Sequence, residues 1–197
     1  LERKWVVVAF GDIRGFGLWT SRAANSPEVK EPFINDFYKT LEDYVCRHKD
    51  IHFKYMGDGF LVLQELGGRD SEGVYKFLKK VRSITKRVLL DIKRCPYPNP
   101  AGFRIRIASG DVYKRMVIDP NDPERKRKIP EYVEYATNKA AHLLMVNPEL
   151  TCLITESVIK ALGKYRSFFR LRKLAHPSSY PESVNKIDID GLRILRF

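Results

Sequence analysis

Cysteine is scarce. The chain has three (Cys46, Cys95 and Cys152) among 197 residues, an odd number, widely spaced and outside any CxxC or CxxH pair. A disulfide framework and a structural zinc site are both disfavoured, and a reducing cytoplasm is the expected home. No apolar run approaches the roughly 18–20 residues that span a bilayer. The apolar stretch near the start, Trp5 to Gly11, is strand-sized, and no signal-peptide pattern is visible. No membrane role is expected. Acidic residues are the minority, 24 against 36 Lys and Arg, for a net charge of +12. Such a balance favours anionic partners such as nucleotides, nucleic acid or acidic membrane, and does not choose among them. The absence of GxxxxGK[ST] disfavours a P-loop NTPase. No GxSxG or catalytic-cysteine arrangement stands out. His48, His52 and His176 share no metal spacing, and there is no internal repeat or low-complexity tract.

What is present is the composition of a folded protein, 44% hydrophobic and 30% charged, with 11 Phe and 10 Tyr. Its length suits one domain over residues 1–197, large enough to bury roughly 70% of the unfolded surface. Trp5 to Phe10 reads as a buried central strand, ending in the glycine-rich turn Gly11 to Gly17. Phe33, Ile34, Phe37, Leu41, Tyr44 and Val45 recur at helical spacing after Pro27 and Pro32. His52 to Met56 and Phe60 to Leu63 are strands joined by the hairpin signal Gly57-Asp58-Gly59. Val74 to Ile92 is a long amphipathic helix, stopped by Pro96, Pro98 and Pro100. Phe103, Ile105 and Ile107 alternate with Arg104 and Arg106 as a half-buried strand, and Asp111 to Ile118 is another. Pro120 to Pro130 reads as a polar loop and Val133 to Val146 as a helix. Cys152 to Ile154, Phe168 to Leu174 and Ile187 to Phe197 are late strands, with a short helix over Glu156 to Leu162. The order predicts an α+β fold: a ferredoxin-like or polymerase-palm antiparallel sheet core with helices packed on it.

Asp12 ends the first strand and Asp58 sits at the hairpin tip. If these strands are neighbours, the two carboxylates converge at one sheet edge. Two carboxylate oxygens with room for water and phosphate are what Mg²⁺ asks for, and two such ions can activate a hydroxyl and stabilise a departing phosphate. Backbone amides of Ile13 to Gly17, entering a short helix, are candidates to hold phosphates. The plainer reading keeps equal weight: Asp12 a helix N-cap and Asp58 a turn residue.

These residues also resemble a family. Phe10-Gly-Asp-Ile-Arg-Gly-Phe16 is similar to the F-x-D-I-x-G-F segment of class III nucleotidyl cyclases, and Lys54-Tyr-Met-Gly-Asp58 to their K-x-x-G-D hairpin. Phe103-Arg-Ile-Arg-Ile-Ala-Ser-Gly-Asp-Val112 resembles their R-x-G-I-x-x-G-x-V segment, and Thr137-Asn-Lys-Ala-Ala-His-Leu143 their V-N-x-A-x-R-L helix. Val146 to Val158 resembles the family's segment after that helix. The segments occur in the family's order over most of the chain. The resemblance implies a homodimer with active sites at its interface, turning a nucleoside triphosphate into a 3′,5′-cyclic nucleotide and pyrophosphate. It implies two divalent ions, Mg²⁺ or Mn²⁺, held by Asp12 and Asp58 with Ile13 beside them. Arg104 matches the phosphate-binding arginine, with Ile13, Gly15 and Phe16 in the phosphate loop. Lys54 matches the base-recognising lysine and Asn138 the ribose-orienting asparagine.

The departures bear on activity and on the base. His142 stands where the family has a transition-state arginine, a role that Arg106 or Lys139 would then have to share. Its plainer reading is a helix-surface histidine. Arg106 stands where glycine is usual, and its plainer reading is a solvated strand face. Asp190-Gly191 replaces Lys-Gly, with Lys186 a weak substitute for the lost lysine. Glu131 is a candidate acceptor for a base amine. Tyr55 and Arg106 together point to a smaller pocket and a pyrimidine, as in the Pycsar-type bacterial pyrimidine cyclases of anti-phage systems, with UTP the expected substrate. Strand alternation, however, puts Lys54 and Tyr55 on opposite faces. Competing readings are an adenylate cyclase, a nucleotide-binding module without turnover, and a basic nucleic-acid binder. Nucleic acid is disfavoured. Arg125 to Lys128 reads as a solvated loop and the Lys/Arg face of the long helix as a solvation face. Tyr165, Phe168 and Phe169 read as packing rather than base-stacking residues.

Overall fold

A computed structural model describes residues 1–22, 26–68, 70–95, 100, 102–124, 126–133, 135–142, 152–173 and 193–196. The element order is β1 (Glu2–Arg14), α1 (Phe16–Ser21), α2 (Pro27–Arg47), β2 (His52–Met56), β3 (Gly59–Leu66), α3 (Ser71–Arg94), β4 (Gly102–Ile118), β5 (Lys128–Val133), α4 (Tyr135–His142), β6 (Cys152–Ile154), α5 (Glu156–Leu162), β7 (Arg170–Lys173) and β8 (Arg193–Arg196). The strands form one eight-stranded sheet in the order β2-β3-β1-β4-β6-β8-β7, with β5 also on β4. The pairings are antiparallel except β4 with β6, which is parallel.

The two faces of β1 follow from its alternation. Val7, Ala9 and Ile13 point into the larger core, where Phe33, Phe37 and Leu41 of α2 and Phe77, Leu78, Val81 and Val88 of α3 pack on the sheet. Val6 and Val8 point the other way, with Leu63, Ala108, Val112 and the α4 residues Ala136 and Ala140. The long helix α3 is capped by Asp70, whose carboxylate accepts from the Glu72 amide at 3.0 Å. Helix α2 starts at Pro27, and Pro32 lies inside it rather than at its start. One proline there gives up a single helix hydrogen bond.

Three expectations are corrected. First, β4 is one strand of 17 residues, not two. Ser109, Gly110 and Asp111 look like a break, but β1 pairs straight through them, with Val7, Val6 and Trp5 opposite. Second, Lys128–Val133 is a strand, and α4 begins at Tyr135. Among the described residues the strand pairs with β4 alone, so Pro130 sits on an edge, where a strand tolerates proline. Third, Arg106 is fully buried, so the Arg104/Arg106 side of β4 is not a solvated face. The last part of the expected α4, residues 143–146, lies outside the described residues, as do 174 and 187–192 of the late strands, Lys186, and Asp190 and Gly191.

Candidate active site

The site is built where β1 ends. Gly57 and Asp58 turn the chain between β2 and β3, and the Asp58 carbonyl accepts the Ile13 amide at 3.1 Å. This bond docks the hairpin tip onto β1 and carries Asp58 to Asp12. The approach is close: a Cβ on Gly59 would meet the Gly11 carbonyl oxygen at 2.4 Å. Only glycine fits there. Just past Asp12, Gly15 has φ 67° and turns the chain into α1. The Ile13 amide is therefore engaged, and of the amides expected to hold phosphate, Ile13 is withdrawn. Phe16 packs on the larger core, its ring 5.7 Å from that of Trp19.

Register places the rest. Asp12 faces Arg104 across the β1–β4 ladder, and one step along the same face Phe10 lies opposite Arg106. Arg104 Nε donates to Asp12 Oδ2 at 2.7 Å, and a terminal guanidinium nitrogen donates to the same oxygen. The pair is shielded, with side-chain exposures of 23% and 14%. Asp12 Oδ1 is buried with no hydrogen-bond partner. Burial, and then the Asp12 charge, push the Asp58 carboxyl above its ordinary range; a backbone hydrogen bond and Arg104 offset part of this. Burial pulls the Arg106 guanidinium down to about 10, with the charges of Arg104, Asp12 and Arg14 also felt. It stays a cation at neutral pH.

Two adjoining carboxylates, Asp58 raised in part by the Asp12 charge and Asp12 with a buried unpartnered oxygen, fit a hard divalent cation. No group of three or more His, Cys, Asp or Glu side chains is gathered for a metal among the described residues. A metal here would draw on two carboxylates, main-chain oxygen and substrate.

Lys54 is exposed on β2 and lies in the row Lys54, Leu61, Phe10, Arg106, on the same face as Asp12. Tyr55 is on the other face. Its ring packs 5.6 Å from Tyr38 of α2 and 4.9 Å from Phe53. One chain therefore does not bring Lys54 and Tyr55 to a common pocket. Glu131 pairs with Arg115, whose Nε is 2.5 Å from Oε2. That is 11 residues along β4 from Arg104, roughly 35 Å of strand, so Glu131 is remote from Asp12 in its own chain. Helix α4 carries Asn138 and His142; their side chains, and that of Lys139, lie outside the described residues. Arg14 was not singled out from sequence. It follows Asp12 by two residues on β1 and so shares its face. The period of two was the signal that would have found it. A cavity of about 330 Å³ lined by Thr40, Tyr44 and Arg87 lies between α2 and α3, across the sheet from Asp12.

No family model matches the sequence, and no curated protein does. Solved structures do match. The guanylyl cyclase Cya2 superposes with a TM-score of 0.68 at 15% identity, over 98% of this chain and 91% of that one. The fold is that of a class III nucleotidyl cyclase catalytic domain. The adenylyl cyclase CyaB from P. aeruginosa gives 0.64 at 14% identity, over 100% and 95% of the two chains. The catalytic core of a rhodopsin-guanylyl cyclase with converted specificity, in complex with ATPαS, gives 0.63 at 17%, over 98% and 96%. In this cyclase fold the two aspartates stand at the end of the central strand pair. No described helix is long and apolar enough to cross a membrane.

Proposed function

We propose that this protein is a nucleotidyl cyclase that converts a nucleoside triphosphate to the 3′,5′-cyclic monophosphate and pyrophosphate. The observation that carries the reading is the convergence of Asp12 and Asp58, by the Ile13–Asp58 backbone bond, beside Arg104 on a cyclase fold. The ribose 3′-hydroxyl attacks the α-phosphorus, the bond to the pyrophosphate oxygen breaks, and the hydroxyl proton is released. Divalent ions, Mg²⁺ or Mn²⁺, would be held by Asp12, Asp58 and the Ile13 carbonyl, and would supply activation of the hydroxyl and neutralisation of phosphate charge. Arg104 binds phosphate, and the start of α1 at Gly15 and Phe16 lines the triphosphate. The chain's own contribution is positioning and fixed charge.

The active unit is a homodimer with the sites at its interface. Lys54 sits two strands from β1, about 10 Å away, which suits a base contact made to the partner's site. Asn138 orients the ribose, and His142 takes the place of the transition-state arginine. The substrate is UTP. Arg106 supports this: a buried arginine on the Asp12 face fills volume that a purine would need. Tyr55 no longer does. By the Pycsar-type resemblance, the product serves signalling in bacterial anti-phage defence, in the cytoplasm.

The test is incubation of the pure protein with each of ATP, GTP, CTP and UTP, with Mn²⁺ or Mg²⁺, and separation of products by mass. Cyclic UMP is expected. Cyclic AMP would keep the reaction and reject the base assignment. No cyclic product with any nucleotide would reject the reading.

A further inference from the structure

We propose that Arg104 locks Asp12 against free divalent metal, so that the site takes its metal as a metal–polyphosphate complex rather than as the bare ion. The inference rests on the cyclase reading above. Two guanidinium nitrogens of Arg104 donate to Oδ2 of Asp12, in a pair that water reaches poorly. Arginine stays charged at any working pH, so a bare dication must share that oxygen with a cation or displace it.

Two further guanidinium groups lie on the same face. Arg14 is two residues beyond Asp12 on β1, and Arg106 is two beyond Arg104 on β4, opposite Phe10. A bare dication approaching the two carboxylates therefore also approaches three cations. A dication bound to a triphosphate carries net negative charge, and the same cations attract it. The triphosphate also offers Arg104 a new acceptor. The hydrogen bonds that Arg104 makes to Asp12 can pass from carboxylate to phosphoryl oxygen, charge-assisted in either case, as Asp12 is released. Oδ1 of Asp12, buried without a partner, is the oxygen that gains most from a cation. Arg104 would thus couple metal entry to substrate entry, acting on Asp12 as well as on phosphate.

The test is equilibrium dialysis of the nucleotide-free protein with Mn²⁺ alone and with Mn²⁺–tripolyphosphate, read by manganese electron paramagnetic resonance. The proteins compared are wild type, Arg104→Gln, Arg104→Lys, Asp12→Asn and Asp12→Asn added to Arg104→Gln, each checked for folding by circular dichroism. Wild type is expected to bind Mn²⁺–tripolyphosphate at least tenfold more tightly than Mn²⁺. Losing a charge-assisted contact is expected to tighten Arg104→Gln for Mn²⁺ alone by roughly tenfold or more. Arg104→Lys, which lacks the fork, should fall between. If Arg104→Gln binds Mn²⁺ no better than wild type while Asp12→Asn loses it, the lock is wrong and the metal site stands. If Asp12→Asn added to Arg104→Gln leaves Mn²⁺ binding as tight as in Arg104→Gln alone, the site reading fails and the lock with it.

Discussion

The amide of Ile13 and the carbonyl of Asp58 are 3.1 Å apart, and that one bond holds the hairpin tip to the end of the central strand. It works because Gly59 lets the two backbones touch. Gly59→Ala would put a methyl group 2.4 Å from a carbonyl oxygen that cannot move without its ladder. Overpacking of this kind costs about 1–3 kcal/mol. The expected outcome is a lower urea midpoint with an unchanged slope, and a larger proportional loss in cyclic-nucleotide formation than in stability. A variant as active and as stable as wild type would mean the contact is not needed.

Asp12→Asn and Asp58→Asn should each lower turnover by roughly 100-fold or more, the scale seen when one preorganised charge-stabilising group is removed. The folded state should survive both. Asp58 is pushed up by burial and by Asp12, so neutralising it relieves repulsion. Product formation measured by mass, beside a thermal melt, separates lost chemistry from lost fold.

Arg106→Gly tests the base assignment. Removing a fully buried side chain from the Asp12 face opens space there. The ratio of kcat/KM for ATP over UTP is expected to rise about tenfold, a change of about 1.4 kcal/mol. An unchanged ratio in a folded variant would show that Arg106 does not set the pocket.

Glu65 gives a stability prediction away from the site. Burial alone would push its carboxyl up, but hydrogen bonds from Lys114 Nζ and the Tyr132 hydroxyl, both 2.6 Å, bring it below its ordinary value. A carboxyl lowered in the folded state stabilises above its unfolded value and loses that stabilisation as pH falls through the folded one. Glu65→Gln should therefore cost about 1–2 kcal/mol at pH 7. The gap to wild type should close as pH drops below about 4. A gap independent of pH would place the cost in packing.

What could be read from sequence was local. The apolar run of β1, the Gly57-Asp58-Gly59 turn and the 3.6-residue period of α3 each state their own structure, and the two aspartates followed from them. What could not be read was set by distant segments. Ser109-Gly110-Asp111 looks like a turn until β1 pairs with it, and Pro130 looks like a loop until β4 offers it an edge. Arg106 looks half-exposed by alternation. Its burial belongs to a face also covered by α4, and to the parallel pairing of β4 with β6, which puts Leu153 beside it. The Arg104–Asp12 pair is a matter of register, and register across 92 residues is not written in either segment.

The length of β4 has a kinetic consequence. At Ile105, Arg106 and Ile107 it is laddered on both sides, to β1 and to β6, while among the described residues β5 and β7 each have a single partner. Amide hydrogens in that middle stretch should be the last to exchange with deuterium, opening only with the whole domain, and those of β5 and β7 should exchange through cheaper, partial openings. Arg104 and Asp12 stand one step from the slowest stretch. The site therefore belongs to the part of the molecule that comes apart last, and would outlive the fraying of its own periphery.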